Sequence, residues 1–232
     1  MVYDNALAVF SPDGRLIQVE YAQHASEQGS LVVFSTSKEY ISVCIEKKGS
    51  NKMLVEDDEQ KIVLIDPDQH FYMAYAGLSP DSYVIIEKAR VICRNYKLQT
   101  SENITLTQLA VRLSGVKQKY TIQGGKRPFG IRSILFGFED EQSKAYIVEP
   151  DGNFSGYRCG SIGQKSGKVN EFMEKSNESD PFLLTISSLS EVIQLNTSRI
   201  VSFDIYPDKI VKKSEDEIKS AVSGISERIK VE

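Results

Sequence analysis

Few residue types in this chain could carry catalysis by themselves, and their spacing is unhelpful. Histidine occurs twice, as His24 and His70, and cysteine three times, as Cys44, Cys93 and Cys159. Zinc needs several ligands at short spacing, and none of these five residues forms a CxxC or HxxxH pair. An odd, scattered set of thiols also argues against a disulfide framework and for a reducing compartment. A Ser–His–Asp triad would have to use His24, on a polar helix, or His70, after a turn; both read as exposed structural residues. Gly160 to Lys168 resembles a phosphate loop, but a Walker register needs Gly at 162 and Ser or Thr at 169, where Ile162 and Val169 stand. It reads as a strand-to-helix turn. Asp57-Asp58 belongs to an acidic run, Glu56 to Glu59, and reads as a solvated loop. Lys61, directly after that run, is the one basic residue worth isolating. Its neighbours alone would make it a neutralised surface lysine.

Composition excludes further classes. The chain has 232 residues, 41% apolar and 26% charged, with 28 basic and 32 acidic side chains and a net charge of −4. Such a chain buries a large core and is not disordered. The slight acidity disfavours nucleic-acid binding through bulk positive charge. No apolar run approaches the roughly 18 residues of a membrane span, and Met1-Val2-Tyr3-Asp4 does not start as a signal peptide does. The sequons at Asn103, Asn153, Asn177 and Asn196 are therefore read as chance. No cofactor or metal is implied.

The positioning elements are legible. Ser11-Pro12-Asp13-Gly14 is a turn, followed by a helix over 15–28 that Gly29 ends. Strands are predicted over 31–36, 40–45, 61–65 and 71–75. Ser79 is predicted as the N-cap of a helix to about Leu98, with Pro80 at its first position and Asp81 complementing its dipole. Thr105-x-x-Gln108 is a capping box for a helix with Leu106, Leu109, Leu113, Val116 and Tyr120 on one face. Strands follow over 132–138, 145–149 and 154–159, with a hairpin turn at Pro150-Asp151-Gly152. Helices follow over 165–176 and 181–195, then strands over 200–206 and 209–212. Ser214-x-x-Glu217 opens a last helix with the stripe Ile218, Val222, Ile225, Ile229. Strands come in blocks and do not alternate with helices, which excludes a doubly wound parallel sheet. The order predicts a single α+β domain of two antiparallel sheets stacked face to face, with helix pairs outside. Sheets covered on both sides explain runs such as Ile134-Leu135-Phe136.

Phe10 to Ala22, preceded by Tyr3-Asp4, resembles the N-terminal signature of proteasome alpha subunits. Glu59-Gln60-Lys61-Ile62, Ala76-Gly77-Leu78, Tyr120-Thr121, Arg127 to Gly130 and Ile162-Gly163 follow in that family's order, so the resemblance spans almost the whole chain. The Met-x-Tyr-Asp start, Tyr21-Ala22-Gln23 and the lack of a long charged tail resemble the type-7 branch, at ring position four. The resemblance implies the four-layer αββα sandwich of N-terminal-nucleophile hydrolases, divided as a gate segment and helix over 1–29 and a sandwich over 30–232.

Active members of that fold use an N-terminal Thr whose own amine serves the base system. Here Ser30 follows Gly29 and no Gly-Thr precedes the first strand, so the implied role is non-catalytic. The alternative is an active hydrolase of the same fold. By resemblance, Tyr3, Asp4, Pro12 and Tyr21 match the cluster holding the gate open. Lys61 matches the lysine that receives an activator's C-terminal carboxylate, with Gly29 and Leu78 lining that pocket. The family's Arg after Tyr-Asp is replaced by Asn5, which removes a salt link. Implied partners are alpha neighbours in a seven-membered ring, the beta ring and the regulatory particle or other activators, in cytoplasm and nucleus, with neither nucleic acid nor membrane.

Overall fold

The structure is a computed structural model, described over residues 8–47, 61–192 and 199–229, with side chains to residue 224. Tyr3, Asp4, Asn5 and the acidic run 56–59 lie outside the described residues.

Ten strands and six helices are described. One sheet joins β1 (Val32–Thr36), β2 (Ile41–Glu46), β8 (Cys159–Ile162), β9 (Ile200–Ile205) and β10 (Ile210–Lys212), in the order β10-β9-β2-β1-β8. The other joins β3 (Ile62–Asp66), β4 (Phe71–Gly77), β5 (Ile131–Glu139), β6 (Gln142–Val148) and β7 (Phe154–Gly156), in chain order. Every described pairing is antiparallel. Side chains alternate across each strand, so each sheet supplies two buried faces. Val32 and Phe34 of β1 and Ile41, Val43 and Ile45 of β2 point to the core between the sheets, where Phe34 meets Phe136 edge-on at 5.4 Å. Leu31, Val33 and Cys44 point the other way, under α4 (Ser166–Lys175), α5 (Pro181–Ser190) and α6 (Glu215–Ile229). α2 (Ser79–Thr100) and α3 (Leu106–Ile122) cover the second sheet through Ile85, Ala89, Leu109 and Leu113. The four layers are those expected, except that three helices share one outer face.

Both capping boxes form. Gln108 N–H donates to Thr105 Oγ1 at 3.1 Å and Thr105 N–H to Gln108 Oε1 at 3.1 Å. Glu217 N–H donates to Ser214 Oγ at 3.2 Å and Ser214 N–H to Glu217 Oε2 at 2.8 Å. Two local expectations are corrected. Leu78, not Ser79, occupies the N-cap of α2, without a side-chain cap; Ser79 is already helical. The strand expected over 154–159 is two strands on different sheets. Tyr157 N–H still donates to Ala145 O at 3.0 Å, whereas Arg158 O accepts from Thr36 N–H at 2.8 Å. The chain changes sheets between these neighbouring residues without proline, so no local signal marks the step.

Lys117 of α3 is fully buried among the apolar residues that cover the second sheet. Its Nζ lies 3.0 Å from Ile131 O, 2.8 Å from Val148 O and 3.2 Å from Ser133 Oγ, contacts that tie α3 to β5 and β6. Burial pushes this amine down to about 7, although the nearby carboxylates of Glu149 and Asp151 act to raise it. Between about pH 7 and 9 the unfolded chain, with an ordinary lysine near 10.5, binds more protons than the native one, so this group makes stability rise with pH. Above about 9 the buried thiols of Cys44 and Cys93, pushed up to about 11 and about 12, act in the opposite direction. The urea midpoint should therefore climb from pH 7 to 9 in the native protein. In Lys117→Met that slope should be lost, as denaturation curves at several pH values would show.

Candidate functional site

The site is built where the first helix ends. Pro12 is exposed in a turn closed by Gly14 N–H to Ser11 O at 2.9 Å and Ser11 N–H to Arg15 O at 2.8 Å. Gly14 has φ +75°, as the turn needs. Arg15 then grips Glu20 with a two-pronged ion pair, its Nε at 2.6 Å from Oε1. Val19, Ala22 and Ser26 bury one face of α1 (Ile17–Glu27) against β4 and β5. Tyr21 stands on the opposite face, 52% exposed, so it is not a core packing residue. The helix is also held to the sandwich by Glu27 and Arg132 at 3.7 Å, with Arg132 Nε on Glu149 at 2.5 Å.

Immediately after α1 four backbone segments meet with no room for side chains. A Cβ on Gly29 would lie 2.0 Å from Gly77 N, one on Gly77 2.1 Å from Gly130 O, and one on Gly163 2.3 Å from Ser30 O. Gly77 and Gly163 also have positive φ, +120° and +94°. Gly29 thus ends the helix as expected, but the structure requires a glycine there for close approach. Gln164 N–H donates to Gly29 O at 3.1 Å, and the chain runs on through Ser30 into β1.

Leu78 leaves this junction at the start of α2. It is 46% exposed, and its N–H donates to Gly130 O at 3.1 Å. Asp81, one turn on, is buried. It accepts two hydrogen bonds from Arg127, both 2.7 Å, and one from Gly130 N–H at 2.9 Å. Burial would raise this carboxyl, but the Arg127 and Gly130 bonds outweigh it and hold the carboxyl below its usual range. Lys61 is half-buried and directly precedes β3; since Ile62 pairs with Ala74, Lys61 falls near the end of β4 that leads to Gly77 and Leu78. Gly29, Lys61 and Leu78 are therefore brought to one end of the second sheet. Among the described residues Lys61 has no ion-pair partner. A cleft of about 500 Å³ lies at the other end of β3, where Asp66, Asp68, Arg90 and Lys97 line it.

The remaining candidates are not assembled into a catalytic group. His24 is 74% exposed and faces Glu27 at 3.5 Å. His70 sits in the β3–β4 turn with φ +50°. Gly160 to Lys168 is the end of β8, a turn and the start of α4, and Ser161 Oγ is turned inward to Asn170 Oδ1 at 2.8 Å. Sequence reasoning missed the pairing of Asp81 with Arg127 and the close contacts of Gly77 and Gly130. Their signal was present only as unexplained members of the quoted strings.

A family model described as "Proteasome subunit" matches residues 26–199, and a second one, for the N-terminal signature of the family's A-type subunits, matches residues 3–25. The chain belongs to the proteasome subunit family, on its alpha side. It is similar to the alpha type-8 proteasome subunit of Mus musculus, 38% identical over 232 residues, covering 96% of this chain and 92% of that protein. The alpha type-7 proteasome subunit of Dictyostelium discoideum is 34% identical over 227 residues, covering 95% and 90%. The alpha type-4 proteasome subunit of Saccharomyces cerevisiae is 35% identical over 237 residues, covering 97% and 92%. As an alpha-type proteasome subunit the chain is a structural component of the outer ring of the 20S particle and assembles with other proteasome subunits.

The glycine junction makes a sharp expectation. Gly77→Ala places a Cβ into Gly130 O and forces a left-handed φ on alanine, costing on the order of 2–4 kcal/mol. Gly115→Ala, in α3 with nothing within 4 Å of the new methyl, should gain about 0.5–1 kcal/mol. Thermal unfolding of the two variants beside the parent protein checks both signs.

Proposed function

We propose that this alpha-type proteasome subunit is a non-catalytic gating subunit that also receives activators. It takes its place in a seven-membered ring between alpha neighbours, against the beta ring, in cytoplasm and nucleus. The observation that carries the reading is α1 seated on β4 and β5 ahead of the first strand, with Ser30, not a threonine, following Gly29. A nucleophile of this fold needs a free α-amine at the start of the first strand. No threonine stands at that point, where Ser30 follows Gly29. Fold alone would have suggested a hydrolase.

In this reading Tyr3, Asp4, Pro12 and Tyr21 hold the gate. The rigid turn at Pro12 and the exposed phenol of Tyr21 support it, since both remain free to meet other chains. Lys61 receives an activator's C-terminal carboxylate, with Gly29 and Leu78 lining the pocket. A compact ammonium at a strand end suits a single carboxylate.

Two measurements test this. Intact mass of the subunit taken from assembled particles should retain the segment 1–29; its removal would identify an active hydrolase instead. Lys61→Ala particles should assemble normally but lose binding of an activator's C-terminal peptide at this subunit. Unchanged binding would refute the pocket.

A further inference from the structure

Lys61 supplies the charge in the proposed pocket, but nothing in Lys61 sets the position of the other lining residues. In that reading Leu78 lines the pocket too, and it is an N-cap residue without a side-chain cap of its own. Its position depends on bonds made by its neighbours. Leu78 N–H donates to Gly130 O at 3.1 Å, and Leu78 O accepts from Asp81 N–H at 3.1 Å. Asp81 Oδ2 in turn accepts from Gly130 N–H at 2.9 Å. The start of α2 and the start of β5 are thus bonded in both directions. On the far side of Asp81, both terminal nitrogens of Arg127 lie 2.7 Å from its two carboxylate oxygens, and Arg127 Nη1 also donates to Pro128 O at 3.1 Å. The guanidinium fork holds the carboxylate in one plane, aimed at Gly130. Gly130 then touches the Leu78 side chain, since a Cβ there would lie 2.9 Å from Leu78 Cδ1.

We infer that Asp81 and Arg127 are the positioning residues of the activator pocket, holding Leu78 against Gly130 where it lines the pocket that Lys61 charges. The inference rests on the pocket reading given above, and it makes a separate claim about how the pocket is shaped. Neither residue contacts the ligand. The two charges cancel within the pair, so the pair contributes geometry and leaves Lys61 as the attracting cation. Arg127 is more than half exposed on its outer side, so truncating it removes the fork without opening the core.

The test uses assembled particles and a peptide copying an activator's C-terminus, with a photoreactive residue near its end and an amidated twin as control. Covalent labelling of this subunit is measured against peptide concentration. In Arg127→Met the half-saturating concentration should rise about tenfold, with maximal labelling and particle yield unchanged, and Arg127→Lys should recover part of the loss. Asp81→Asn, which keeps an acceptor for Gly130 but loses the charged fork, should behave as Arg127→Met does. A general structural lesion would instead lower the maximum and the yield. Should Arg127→Met fail to assemble, the Lys variant and Asp81→Asn carry the comparison. If Lys61→Met weakens labelling while the Arg127 and Asp81 variants bind as the parent does, the positioning claim is overturned and the pocket stands. If Lys61→Met also binds as the parent does, or the amidated twin labels equally, the pocket itself is overturned and the positioning claim goes with it.

Discussion

The rest of the structure depends on a backbone-to-backbone contact that tolerates no side chain. Where α1 ends, Gly29 lies against Gly77, Gly77 against Gly130, and Gly163 against Ser30. Interiors are packed like solids, so a contact at about 2 Å from an added Cβ cannot be relieved by a small shift. This junction joins the first helix to both sheets at once: β4 and β5 on one side, β1 and the β8–α4 turn on the other. It also determines where Ser30 enters the first strand, and therefore which end of the sandwich α1 covers.

Around that point the sandwich is held by two kinds of interaction. Apolar burial is extensive and non-directional, with three cores separated by two sheets. It favours stacking but does not choose one registry of helix on sheet. A few buried polar contacts supply direction. Lys117 ties α3 to β5 and β6 through three oxygens, and Asp81 ties α2 to the start of β5 through Arg127 and Gly130. Both act on strand β5, whose start also carries Arg132, the partner of Glu27 in α1. One short stretch, 127–133, thus relates both helices of that layer to the first helix.

A fold associated with hydrolysis here serves assembly. Sequence reasoning could see that no Gly-Thr stands before the first strand. It could not see which contacts seat α1 on the sandwich, because they depend on pairings between residues 26–30 and residues near 76, 130 and 163.

Much of the architecture was legible from residue order. Capping boxes at Thr105 and Ser214, the Pro12 turn and the both-face apolar strands are local, acting within about four residues or along one strand, so their chemistry can be read without a partner. The crossing at Tyr157 and Arg158, the burial of Lys117 and the true role of Gly29 could not be read that way. Each depends on what lies opposite in space: an adjacent sheet edge, a ring of carbonyls, another backbone. Asp81 looked like a helix-dipole residue and proved to be a link between segments 46 residues apart in the chain. The sequence by itself determined most of the elements and the family. Only the tertiary structure decided which residues hold those elements together, because contacts between distant segments leave no periodic trace in either segment alone.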